Sequence, residues 1–156
     1  MKRRWLSIGC LIVCAACSVP RIAMADGMAD TQMLKELQET ILKLRKMGGP
    51  SMARTNTAER LSQLTEKIDP KEVDDKTLDD LVSLLDSPDD SVRFWVAASI
   101  GHLGPRAKGA APALLKILHE TECLELKEMT SAGAARVALK RIGVTPPPRD
   151  CVKKSD

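Results

Sequence analysis

Leu84-Leu85-Asp86-Ser87-Pro88-Asp89-Asp90-Ser91-Val92-Arg93, followed by Val96-Ala97-Ala98-Ser99-Ile100-Gly101-His102-Leu103-Gly104, is the stretch on which the fold turns. A leucine pair closes one apolar run; a serine, a proline and two acids open the next. Serine caps a helix by accepting from its first free N–H groups, proline suits the first helical position, and acids there face the positive end of the macrodipole. Val92, Val96, Ile100 and Leu103 then recur at the spacing of one helical face until Gly104-Pro105 stops it. The stretch reads as helix, tight turn, helix.

The same periodicity extends outward on both sides. Residues 31–47 predict a helix with Met33, Leu34, Leu37, Ile41, Leu44 and Met47 on its apolar face, ended by Gly48-Gly49-Pro50. Residues 57–68 predict a second, capped by Asn56 and burying Leu61, Leu64 and Ile68, before Asp69-Pro70 breaks the chain. A third covers 76–85, capped by Asp75, and the fourth is the one opened by Ser87. A fifth covers 110–119 and a sixth 128–142, after which Pro146-Pro147-Pro148 favours extended chain. With 44% hydrophobic residues but only 2% aromatic ones, the core must be Leu, Ile, Val, Met and Ala. Closely packed helices suit that palette better than aromatic-rich strands do, so the fold class is all-α.

The third and fourth helices overlay on the fifth and sixth. Leu81, Val82, Leu84 and Leu85 match Leu114, Leu115, Ile117 and Leu118; Val96, Ser99, Ile100, Leu103 and Gly104 match Ala135, Ala138, Leu139, Ile142 and Gly143. The second copy has a longer connection. Residues 81–104 resemble a HEAT repeat of the phycobilisome-lyase-like type, and 111–143 resemble a weaker copy lacking the Val92-Arg93 step. The resemblance implies a short α-solenoid of about three helical hairpins, in a family whose unit is about 40–47 residues. Residues 31–68 would form a degenerate repeat or an N-terminal cap. It also implies structural roles for Asp86, Asp89, Val92, Arg93 and Gly104, with Arg93 pairing to Asp86 or Asp89 in an inter-helix ladder. Small residues, among them Ala97, Ala98, Gly101 and Ala132 to Ala135, would mark places where helices approach closely.

Residues 1–25 read differently. Lys2, Arg3 and Arg4 precede an apolar run over 5–19, and Ala23-Met24-Ala25 stands before Asp26. That is the layout of a secretory signal peptide, with Ala23 and Ala25 as the small residues before a cut at Asp26. The apolar run is short for a spanning helix of roughly 20 residues, so no stable membrane insertion is expected after cleavage. An uncleaved anchor, or a lipoprotein anchored at Cys17, are the alternatives. The chain then divides into 1–25 signal, 26–75 N-terminal helices, 76–143 repeats and a 144–156 Pro-rich tail.

The leader carries four of the 24 basic residues and none of the 21 acidic ones, leaving 20 basic against 21 acidic groups. A balanced chain without a basic stripe argues against nucleic acid, whose binders cluster Lys and Arg on phosphates. Cys10, Cys14 and Cys17 leave with the leader, and Cys123 and Cys151 remain. In an oxidising compartment that pair suggests one disulfide, tying the tail to the body and worth about 3–4 kcal/mol in the loop-entropy account. Two free thiols or an intermolecular bridge are the other readings.

Phe94 and Trp95 are the only aromatic residues after the leader, and they stand together on one helix. They are read as core packing or as partner contacts, since Trp is enriched at binding hot spots. His102 and His119 have no local Cys or His spacing that builds a metal site. No nucleophile elbow, phosphate loop or paired-carboxylate motif occurs, so no catalytic site and no cofactor is expected. HEAT stacks hold protein partners on an extended surface, which is the role the resemblance implies. The leading expectation is a periplasmic or secreted protein-binding module of adaptor, inhibitor or immunity type. A structural or envelope-stress accessory bracing an assembly through its tail is the alternative, and a divergent enzyme subunit the third.

Overall fold

The structure, a computed structural model, describes the backbone of residues 22–121 and 130–148 and the side chains of 30–120 and 130–148. Cys17, Cys123 and Cys151 lie outside the described residues. Within them the chain is helical throughout: α1 (Ile22–Lys46), α2 (Met52–Thr65), α3 (Asp75–Val82), α4 (Asp90–His102), α5 (Ala111–Thr121) and α6 (Ser131–Arg141), with short 3-10 turns between and no strand. α1 starts earlier than the apolar pattern predicts, so Ala23, Ala25 and Asp26 fall in its first turns.

The helix starts differ from the expected ones for local reasons. α2 is capped by Ser51, whose hydroxyl accepts from the Arg54 N–H, and begins ahead of Asn56. α3 is capped by Asp74, one residue before Asp75, through a 2.6 Å bond from the Thr77 N–H. Ser87 does not cap α4. A residue before proline is pushed to extended geometry, and Ser87, with ψ of 136°, obeys. Its hydroxyl instead accepts from the Asp89 N–H and from Arg54, and Asp89 takes the cap position. α6 begins at Ser131 under a Thr130 cap.

Helix ends follow the glycines. Gly104 and Gly143, matched by the internal repeat, both adopt positive φ, 56° and 82°, just after the C-cap residues Leu103 and Ile142. Such geometry is nearly free for glycine and lets late N–H groups fold back onto open carbonyls. At Gly143 the two reverse bonds of a Schellman motif form, Val144 N–H to Leu139 O at 2.8 Å and Gly143 N–H to Lys140 O at 3.2 Å.

The two copies also bury equivalent positions. Val96, Ser99, Ile100 and Leu103 are all at most 1% exposed, and so are Ala135, Ala138, Leu139 and Ile142. Leu81, Leu84 and Leu85 are buried like Leu114, Ile117 and Leu118, while Val82 and Leu115 are both only partly covered. α4 packs between α2 and α6, α1 lies on α2, and α5 lies on α6. α2, α4 and α6 thus stand side by side as one layer, with α1, α3 and α5 behind it. Among the described residues the fully buried core holds no aromatic side chain, and each buried Leu or Ile contributes about 1.5–3 kcal/mol.

A candidate binding groove across three helices

Between the exposed faces of α2, α4 and α6 lies an open groove of ≈ 670 Å³. Its centre is α4. Phe94 and Trp95 sit at one end, their rings edge to face at 85° with centroids 5.0 Å apart, each half-buried and packed against the core. Ala98 and Gly101 continue the floor toward His102. The two aromatic residues are therefore neither core nor free surface: their inner edges pack and their outer edges line the groove. Val137, 51% exposed, adds an apolar side chain from α6.

The floor is low because α4 and α6 touch. A Cβ placed on Gly101 would stand 3.2 Å from the Ala138 Cα and 3.4 Å from its Cβ, tighter than ordinary contact. Of the small residues singled out in the sequence, Gly101 works here with Ala138 as a helix–helix seam, and Ala98 and Ala134 line the groove beside it.

Charge lines the banks. Glu59 and Glu66 stand on the α2 side, Lys140 and Arg141 on the α6 side. His102 lies between them. Burial, then the Arg141 guanidinium, push its pKa below the ordinary 6.5, with Glu66 opposing, so the ring is neutral at pH 7. These bank residues were missed in the sequence. Glu59 and Glu66 are two helical turns apart on one face, a visible signal, but only the order α2–α4–α6 places them opposite the basic pair.

The residues expected as a structural signature lie away from the groove, at the α3–α4 turn. Arg93 pairs with neither Asp86 nor Asp89: its guanidinium donates to Asp90 Oδ1 at 2.8 Å and to the Ser87 carbonyl at 2.8 Å. The two expected acids are engaged elsewhere. Asp86 meets Lys116 of α5 at 2.9 Å, and Asp89 is occupied as the α4 cap, with Arg54 4.0 Å away. Asp90 carries the link to the next hairpin, accepting from the Ser131 hydroxyl at 2.5 Å. Burial raises its pKa, but the bonds from Ser131 and Arg93 outweigh that and hold it below the usual carboxylate range. Val92 is fully buried.

Among the described residues no three His, Cys, Asp or Glu gather as metal ligands, and no helix is long and apolar enough to cross a membrane. Beyond α6 the chain turns back along it: Val144 packs on the core, and Arg136 donates to the Pro147 carbonyl at 2.7 Å. Compared with protein-family models, curated proteins and solved structures, the chain matches none.

Proposed function

We propose that the chain is an exported HEAT-type binding module without catalytic activity, and that the α2–α4–α6 face is where it holds a protein partner. The observation that carries this reading is the groove floored by Phe94 and Trp95, the one aromatic pair after the leader, kept partly uncovered although the core has Leu and Ile in quantity. An evolved core with so few aromatic groups has little reason to leave both at a groove unless they contact something. Matched burial in the two hairpins, and matched positive φ at Gly104 and Gly143, support a stacked repeat of the HEAT kind with α1 and α2 as its first unit. The balanced charge and the leader favour a periplasmic or secreted site of action, cut before Asp26, with a lipid anchor at Cys17 as the alternative.

The reading keeps a disulfide between Cys123 and Cys151, both outside the described residues, as its expected link between tail and body. Arg136 holds the Pro147 carbonyl at 2.7 Å, so the described part of the tail lies on α6. A tail so held also favours the second reading, a brace acting through 144–156.

One experiment separates the two. The protein, expressed from its full coding sequence and purified as the cell delivers it, is used to capture partners from the exported fraction of the source. The first reading expects a stoichiometric partner whose recovery falls at least about tenfold in Trp95→Ala, the loss of one hot-spot contact. Recovery unchanged in Trp95→Ala but lost on truncation after Pro148 moves the activity to the tail. No partner with either form overturns both.

A further inference from the structure

Several charged groups of the described surface are neutralised in pairs. Arg45, Arg60, Lys76, Arg93, Arg106 and Lys116 each meet a carboxylate within 4.0 Å. Glu59, Glu66, Lys140 and Arg141, on the banks of the groove, enter none of these ion pairs. They also segregate by sign, acids on α2 and bases on α6, with α4 between. Packed helix axes are about 8–10 Å apart, so the two banks stand roughly 16–20 Å from each other. A helix with its side chains is about 10–12 Å across and fits lengthwise over α4 between them.

Resting on the binding reading above, we propose that the groove takes one amphipathic helix of a partner protein, with an apolar stripe on Phe94, Trp95 and Ala98, basic residues along the flank facing Glu59 and Glu66, and acidic residues along the flank facing Lys140 and Arg141. Complementary flanks add specificity and speed of encounter, and the apolar stripe supplies the bulk of the affinity. Other occupants fit less well. Among the described residues the exposed large apolar side chains are Leu42, Met52 and Val137, one each on α1, α2 and α6, so no described helix face of a second copy presents a stripe. The chain's own residues 149–156 contain Val152 as their sole large aliphatic residue. A small polar ligand needs polar groups converging on one point, whereas these stand on opposite banks.

The test uses three synthetic helical peptides with the same Leu stripe and no aromatic residue, their flanks Lys/Glu, Lys/Lys or Glu/Glu. Trp95, the single Trp after the leader, reports binding by its emission. The Lys/Glu peptide is expected to bind at least about tenfold more tightly than either other, an advantage that fades as salt screens the banks. Charge reversal of one bank, Glu59→Lys with Glu66→Lys, is expected to make Glu/Glu the best binder. Glu59→Gln with Glu66→Gln, milder and nearly isosteric at the same positions, is expected to erase the preference while leaving the helical circular dichroism unchanged. Equal binding of all three peptides, or an order unmoved by charge reversal, overturns the proposal. So does a dimer that dissociates in Trp95→Ala, which assigns the groove to a second copy, or a tenfold gain in peptide binding on truncation after Pro148, which assigns it to the tail. If peptide selectivity fails while Trp95-dependent capture from the exported fraction persists, only this proposal falls; if capture also fails, the binding reading falls with it.

Discussion

Both flanks of α4 share the apolar core, but the α2 flank adds a polar clasp and the α6 flank a close seam at a glycine. Arg54 of α2 donates to the Met47 carbonyl at 2.8 Å and to the Ser87 hydroxyl at 3.1 Å, with the Asp89 carboxylate 4.0 Å from its Nε. This clasp gathers the end of α1, the start of α2 and the turn into α4. At the other flank Gly101 lies so close to Ala138 that an added methyl group would press on its backbone, and Ser131 donates to the Asp90 carboxylate across the helix starts. The clasp fixes register and tolerates small changes of spacing. The seam fixes spacing, and through it the width of the groove.

The seam is the easier joint to break. Gly101→Leu drives a branched side chain into the Ala138 backbone and is expected to cost about 3 kcal/mol in urea unfolding, the upper range for overpacking. It should also abolish the Trp95 emission change on peptide binding. Gly101→Ala sharpens the point: its Cβ would need a shift of a few tenths of an ångström, but alanine gains up to about 1 kcal/mol of helix propensity over glycine. The two are expected to cancel to within about 1 kcal/mol.

The clasp should respond by less. Arg54→Met keeps the aliphatic stem but leaves the Asp89 carboxylate, 10% exposed, without its cation. A loss of about 2 kcal/mol is expected, the scale for a largely covered charged group stripped of its partner. Peptide binding should persist, because the groove width is set on the other flank. Retained groove function in Arg54→Met together with lost function in Gly101→Leu is the pattern the comparison demands; the reverse would refute it.

The smallest effect is expected at His102, where both flanks meet. Its folded pKa is lowered, by burial first and Arg141 second against Glu66, so the unfolded chain takes up the proton first as pH falls through 6.5. Stability from this group is complete above that pH and is lost progressively below it. His102→Gln should flatten the decline between neutral and mildly acidic pH in thermal melts, with little change at pH 8.

Much of the α4 seam was legible in the sequence. Val92, Val96, Ile100 and Leu103 repeat at helical spacing because one face must be buried, and Gly104 follows because the helix must end. The overlay of Leu81 to Leu85 on Leu114 to Leu118 survives down to the half-covered Val82 and Leu115. Caps were legible in kind but not in place. Ser87 looks like a cap by composition, yet the proline after it extends the backbone and hands the role to Asp89. The Arg93 partner was misplaced for a related reason: as the cap, Asp89 accepts from the Ser91 N–H, and Arg93 pairs with Asp90, three residues before it, at 2.8 Å. The groove was half legible. Phe94 and Trp95 announce themselves by rarity, but Glu66 and Arg141 lie far apart in sequence and become neighbours of His102 only through the order of helices.

The turn-back after α6 makes the two sides of the described fold unlike. Val144 and the Arg136–Pro147 bond lay chain along α6, whereas α1 and the start of α2 leave Leu42 51% and Met52 75% exposed. The short proline run thus acts as a cover for the last described helix, one that the exposed Leu42 and Met52 lack among the described residues.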